Sequence, residues 1–223
     1  MLHLLIGTDW TRNRDAILAR LADDVHSRRE GRILMVPELI SHETERALCR
    51  FAGDTASRYA EVLSFTRLAR RAAEQAGSSA MECLDSGGRV VAMAAAARQL
   101  ASKLKAYAAV ETKPEFLTEL IDAVDEFKRC CITAQDLKAA AAQTEGSLAQ
   151  KLEELSLLME SYDALCSQGK RDPRDQMTWL LEQLEESDYA QTHVFYIDGS
   201  PDYPRQHQEI LEHLIQFSPS VTV

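Results

Sequence analysis

Residues 2–20, LHLLIGTDWTRNRDAILAR, decide how the rest of the chain is read. They predict a buried strand (Leu2, Leu4, Leu5, Ile6), a single glycine at Gly7, a seven-residue polar turn, and an amphipathic helix with Ile17, Leu18 and Leu21 on one face. This is the layout of a phosphate-binding P-loop. The chemistry of such a loop is missing. GxxxxGK[ST] needs a second glycine so that backbone N–H groups can wrap the phosphates, a lysine for their charge and a hydroxyl for magnesium. Counted from Gly7, those places hold Arg12, Asn13 and Arg14. Arg12 puts a bulky side chain where the backbone must approach closely, and Asn13 carries no charge. Trp10, a large aromatic in the polar turn, reads as a plug over the phosphate pocket, with stacking on a base or a partner as the alternative. The helix N-terminus still leaves room for weak anion binding near Thr11 to Arg14.

Further along, ILMVP (33–37) is a second strand ended by proline, Ser41 an N-cap, and YAEVLSF (59–65) a third strand running into the helix TRLARRAAEQA (66–76). Three strand–helix units in this order predict a parallel sheet with crossover helices. The pattern changes at Gly77-Ser78-Ser79. Residues 80–190 predict helices at 87–109, 114–131, 134–142, 147–167 and 174–187 and no convincing strand, so they are assigned to an all-helical subdomain. HVFYID (193–198) brings the sheet back, a helix follows over 205–217, and SVTV (220–223) reads as another strand. The expected division is therefore an α/β domain of 1–79 with 191–223, and a helical insertion of 80–190. A chain that stops on a strand reads as a piece of something longer.

VFYIDG (194–199) resembles a Walker B strand, whose terminal aspartate holds magnesium; here that residue is Asp198, and Gly199 stands where a water-orienting glutamate is usual. The plain alternative is an Asp-Gly turn closing a strand. In SFTRLARR, Arg67, Arg70 and Arg71 share one helical face and suit a phosphodiester backbone; the plain alternative is a solvated face paired with acids.

Composition narrows the classes. With 45% hydrophobic residues the 223-residue chain can build a core, and the net charge of −10 argues against a generic nucleic-acid coat. Residues 1–79 hold 12 arginines, no lysine and 11 acids, so any DNA contact is a local arginine track. Cys49, Cys83, Cys130, Cys131 and Cys166 form no CxxC and read as reduced thiols, and His42-Glu43 fails as HExxH because position 46 is arginine. No run reaches a membrane span and no leader is recognisable, so a cytoplasmic location is expected. No cofactor is expected in this fragment.

The order of MVPELISHETERAL (35–48), EVLSFTRLARR (61–71), LIDAVDEFKRCCITAQDL (120–137), KLEELSLLMESYDAL (151–165) and VFYIDGSPDYPRQHQEIL (194–211) resembles the N-terminal part of the AddB/RexB family, which belongs to bacterial ATP-dependent helicase/deoxyribonuclease complexes. Val36-Pro37-Glu38-Leu39, Ser64–Ala69 and Asp198-Gly199-Ser200 stand for the family's VPxQ-like, SFSRLA-like and DGF-like segments. The resemblance implies a P-loop NTPase fold of the RecA/UvrD-like kind, in a subunit that scans DNA beside an AddA-type motor and carries an iron–sulfur nuclease domain elsewhere. Family members commonly keep an intact GxxGxGKT, and this chain does not. The expectation is a non-catalytic, DNA-guiding and partner-binding scaffold. Two other classes stay open: a divergent P-loop ATPase or nucleotide kinase, favoured by a basic residue brought from another segment to the lysine position, and a freestanding interaction module, favoured if the gene ends near Val223.

Overall fold

The computed structural model describes residues 1–77, 82–108, 113–199 and 202–223. Ser200 and the Ser78-Ser79 boundary lie outside the described residues. The chain divides into two compact units, Met1–Ala80 with Met177–Val223, and Met81–Gln176.

The first unit is an α/β fold around five short strands: β1 (Leu2–His3), β2 (Arg32–Met35), β3 (Ala60–Leu63), β4 (Val194–Ile197) and β5 (Val221–Thr222). Their order is β1-β5-β4-β2-β3, and every neighbouring pair is parallel. Successive side chains of a strand point to opposite faces, and both faces are covered, which is why β2, β3 and β4 read as continuous apolar runs. Ile33, Met35, Leu63, Phe195 and Ile197 pack with α3 (Phe65–Gln75), α8 (Gln176–Glu186), α9 (Tyr189–Thr192) and α10 (Arg205–Phe217). Leu34, Val36, Val62 and Tyr196 pack with α1 (Trp10–His26) and α2 (Ser41–Ala52).

Two expectations about the first element are corrected. β1 is not a buried strand over 2–6. It is a two-residue edge strand paired only with β5, and Leu4 and Ile6 are 61% and 93% exposed. The polar stretch after Gly7 is not a seven-residue turn either, because Asp9 caps a helix that already begins at Trp10. The helical stretch expected to run to 190 is also divided. Leu180 and Leu184 of α8 and Tyr189 and Ala190 of α9 bury themselves under the sheet, so Met177 onward belongs with the strands.

The second unit consists of α4 (Ser86–Gln99), α5 (Pro114–Arg129), α6 (Ala134–Ala142) and α7 (Gly146–Cys166). Among its described residues a single isolated bridge, Cys83 with Arg171, is the only strand-like pairing. Met93, Ala97, Leu120, Val124, Leu158 and Tyr162 centre its core. Into that core the unit folds a charge network. Arg89 donates to both carboxylate oxygens of Asp125 and, at 3.1 Å, to Asp172, while the Tyr162 hydroxyl donates to Asp172 at 2.6 Å. Lys128 reaches Asp163 at 2.7 Å and Asp175 at 2.6 Å. Burial pushes the Asp172 carboxyl upward, but Lys128, the Tyr162 hydroxyl, the Arg174 N–H and Arg89 together outweigh it and hold the group below its ordinary value.

A carboxyl lowered on folding contributes stability that is present above its unfolded pKa of about 4 and is lost as pH falls through the folded value. Asp172→Asn should therefore flatten the acid side of this unit's stability curve. At pH 7, Arg89→Met should cost about 3–5 kcal/mol by removing the buried guanidinium that Asp125 and Asp172 share. Urea unfolding at a series of pH values measures both.

Candidate functional site

In an open parallel sheet, ligands meet the carboxyl ends of the strands. At that edge the structure assembles the residues from the first turn and from the end of β4. Asp9 is the N-cap of α1, and its carboxylate accepts from the Thr11 and Arg12 N–H groups at 3.0 and 3.4 Å. The helix N-terminus, which would otherwise attract an anion, thus already has one from its own chain. Asn13 lies over Gly7, so that a methyl group at Gly7 would collide with the Asn13 amide oxygen. Gly7 is needed for close approach, but the group that approaches is a side chain of the same segment.

Arg14 and Asp198 come together. The Arg14 guanidinium is 3.4 Å from the Asp198 carboxylate and donates to the Thr44 hydroxyl at 2.6 Å, with both charged side chains mostly buried. The Asp198 N–H is fixed to the Met35 carbonyl at 2.9 Å. Burial raises the Asp198 carboxyl above its ordinary value, with Arg14 opposing. A magnesium nucleotide needs a hydroxyl and a free aspartate at these two places. A fixed cation against Asp198 repels a metal ion, so this residue set does not suit one. Among the described residues there is also no group of three or more His, Cys, Asp or Glu able to hold a metal.

Trp10 does not plug this pocket. It is 70% exposed and lines a groove with Arg14, Arg46, Arg50 and Phe51. Helical spacing puts Trp10 on the same side of α1 as Ile17 and Leu21, but at the first residue of the helix, where it stays exposed.

Beside the Arg14–Asp198 pair, the ends of β2 and β3 and the approach to α10 enclose a mainly apolar hollow of about 240 Å³. Phe65 stacks on His207 with ring centroids 4.2 Å apart and meets Tyr203 edge-on at 6.1 Å. Ser64, the N-cap of α3, accepts from the Arg67 N–H and donates to Glu38, which closes the polar side. A Cβ at Gly199 would overlap the Tyr203 hydroxyl, so the Asp-Gly pair ends β4 and admits this ring. Sequence reasoning missed the hollow, whose aromatic residues lie about 140 positions apart.

The arginine face of α3 is partly committed. Arg67 binds Glu45 at 2.8 Å, and Arg71 binds Glu61 at 2.7 Å and Glu74 at 3.1 Å; these acids raise Arg71, chiefly through the hydrogen bond to Glu61. Arg70 is exposed and has no ion pair among the described residues.

A parallel α/β domain whose ligand edge is filled by its own ion pair and flanked by an aromatic hollow defines the class of this molecule. The chain belongs to the family described as ADDB, N-terminal, whose profile matches residues 4–223. It is similar to proteins named as the B subunit of an ATP-dependent helicase/deoxyribonuclease. In Thermoanaerobacter sp. (strain X514) the identity is 32% over 193 residues, covering 86% of this chain and 17% of that protein. In Listeria innocua serovar 6a it is 23% over 222 residues, covering 100% and 19%, and in Anoxybacillus flavithermus it is 26% over 230 residues, covering 99% and 20%. The chain therefore spans a fifth or less of the length of these relatives. Among the described residues no helix is long and apolar enough to cross a membrane.

Arg14→Ala should leave Asp198 mostly buried and unpaired, costing about 2 kcal/mol at pH 7. A carboxyl raised on folding makes stability fall as pH rises through and above the ordinary carboxylate range. The deficit of Arg14→Ala should accordingly shrink at pH 4, and denaturant titrations at the two pH values check it.

Proposed function

We propose that this chain is a non-catalytic, helicase-like N-terminal domain of an AddB-type subunit, with a degenerate P-loop, that guides DNA and binds an AddA-type partner during double-strand-break repair by recombination. The observation that carries the reading is the Arg14–Asp198 ion pair, which replaces magnesium chemistry with a fixed structural contact. The relatives' name, helicase/deoxyribonuclease, supports DNA as the substrate class, and their much greater length supports the context of a larger assembly.

The aromatic hollow supports a binding role at the same edge. Phe65 and His207 stack face to face and line a mainly apolar hollow, and flat bases stack on the outer face of such rings without sequence-specific hydrogen bonds. Arg70, on the helix that begins at Phe65, is available for a neighbouring phosphate; Arg67 and Arg71 must exchange their carboxylates for phosphates to join it.

In the assembled complex, Phe65→Ala should weaken single-strand binding about 5- to 100-fold, the range for losing one stacking platform. Replacing Arg67, Arg70 and Arg71 together with Ala should lower the salt slope by at most about 0.7 per lost contact, and Arg70→Ala alone should account for most of that loss. Fluorescence anisotropy with a labelled oligonucleotide across a salt series measures both. Unchanged affinity and slope in every variant would contradict a DNA-guiding role for this edge.

A further inference from the structure

A second hollow, of about 580 Å³, opens at the opposite edge of the sheet, where β2 and β3 begin. It lies between the end of α1 and the turn before β3, and its walls include Val25, His26, Arg28, Glu30, Arg58 and Tyr59. The local chain is built to hold two guanidinium groups there. Residues 26–32 read HSRREGR, three arginines within five residues. Two of them are consumed by a single acid: Asp24, which is buried, takes Arg29 at 2.9 Å, Arg32 at 2.8 Å and the Tyr196 hydroxyl at 3.0 Å. Burial pushes the Asp24 carboxyl up, but the hydrogen bonds from Arg32 and Tyr196 outweigh it and hold it below its ordinary value, so the anchor is a firm anion.

That anchor fixes the loop and leaves the remaining arginine to the hollow. Arg28 has φ 56°, a left-handed conformation unusual for a residue with a Cβ, and Gly31 follows with φ 72°. Across the hollow, Arg58 lies over the Tyr59 ring, its guanidinium carbon 5.7 Å from the centroid. Neither Arg28 nor Arg58 has an ion pair among the described residues, and Thr55 and Tyr59 add hydroxyl donors against the single carboxylate of Glu30. A concave surface dominated by hydrogen-bond donors and two guanidinium groups suits a tetrahedral oxyanion rather than a cation or an apolar ligand.

We propose that this hollow is a phosphate-binding site that holds the phosphodiester backbone of a nucleic acid, at a position separate from the aromatic edge. The choice of nucleic acid as the source of the phosphate rests on the DNA-guiding function proposed above. Arg28 and Arg58 are the contacts, Tyr59 orients Arg58, and the Asp24 cluster is the rigid support.

The test uses the full-length subunit in its complex. Arg28→Ala/Arg58→Ala should lower the salt slope of oligonucleotide binding by about 1.4, the value for two lost single-strand contacts. Arg28→Glu/Arg58→Glu should weaken binding further at low salt, and circular dichroism of both variants verifies that the fold is retained. Calorimetric titration with inorganic phosphate separates the other source. Loss of phosphate binding with an unchanged oligonucleotide slope would overturn the nucleic-acid assignment in favour of a small phosphate ligand. An unchanged slope in both variants, or a loss of partner association alone, would overturn it as well. Phe65→Ala serves as the parallel measurement. If that variant weakens binding while the Arg28/Arg58 variants do not, this site fails and the aromatic edge stands; if none has an effect, the DNA-guiding function itself fails.

Discussion

A carboxylate at the buried end of a parallel strand must be neutralised, and in this chain the neutralising group is Arg14. The pair joins α1 to the end of β4 across the ligand edge, with Thr44 of α2 holding the same guanidinium. One interaction thereby ties three elements together at the carboxyl edge of the sheet. Asp9 on the helix N-terminus and Asn13 over Gly7 are further self-contacts of the first segment. Each of these contacts satisfies a polar or charged group from within the chain.

Beside the filled part of the edge lies the aromatic hollow. The hollow next to it depends on the same strand ends: Met35 and Val36 close β2, Ser64 and Phe65 leave β3, and Gly199 admits Tyr203 after β4. The carboxyl edge of the sheet thus presents aromatic rings, and its amino edge presents arginines beside the loop that Asp24 holds. The helical unit is stabilised differently, by a network in which Arg89, Lys128 and Arg174 offset four aspartates. Such a network gives little net stability over an apolar core but fixes a unique packing, since any shift strands a buried charge.

Much of the sheet was legible because its signals are local. β2, β3 and β4 are short apolar runs ended by proline, serine or aspartate, and α10 begins at the first position after a proline. β1 misled because Leu2, Leu4, Leu5 and Ile6 look like a core strand, whereas an edge position leaves most of them outside. The capping role of Asp9 was written in the sequence as an acid ahead of an amphipathic run, but counting from Gly7 in a P-loop register puts that residue inside a turn. The pairing of Arg14 with Asp198 joins residues 184 positions apart, and no periodicity reports such a contact. The same holds for Arg89 with Asp172 and for Phe65 with His207. Helix α8 has the same pattern as the helices before it, and only its packing reveals that Leu180 and Leu184 serve the sheet.

If self-pairing at the ligand edge stands in place of nucleotide chemistry, the purified protein should ignore Mg-ATP. Calorimetric titration with Mg-ATP, with Asn13→Lys measured in parallel, should show no binding in the micromolar range and no turnover for either protein, because the added lysine leaves Asp9 on the helix N-terminus and Arg14 on Asp198. Micromolar affinity that disappears on Asp198→Ala, or hydrolysis that depends on Asp198, would contradict it.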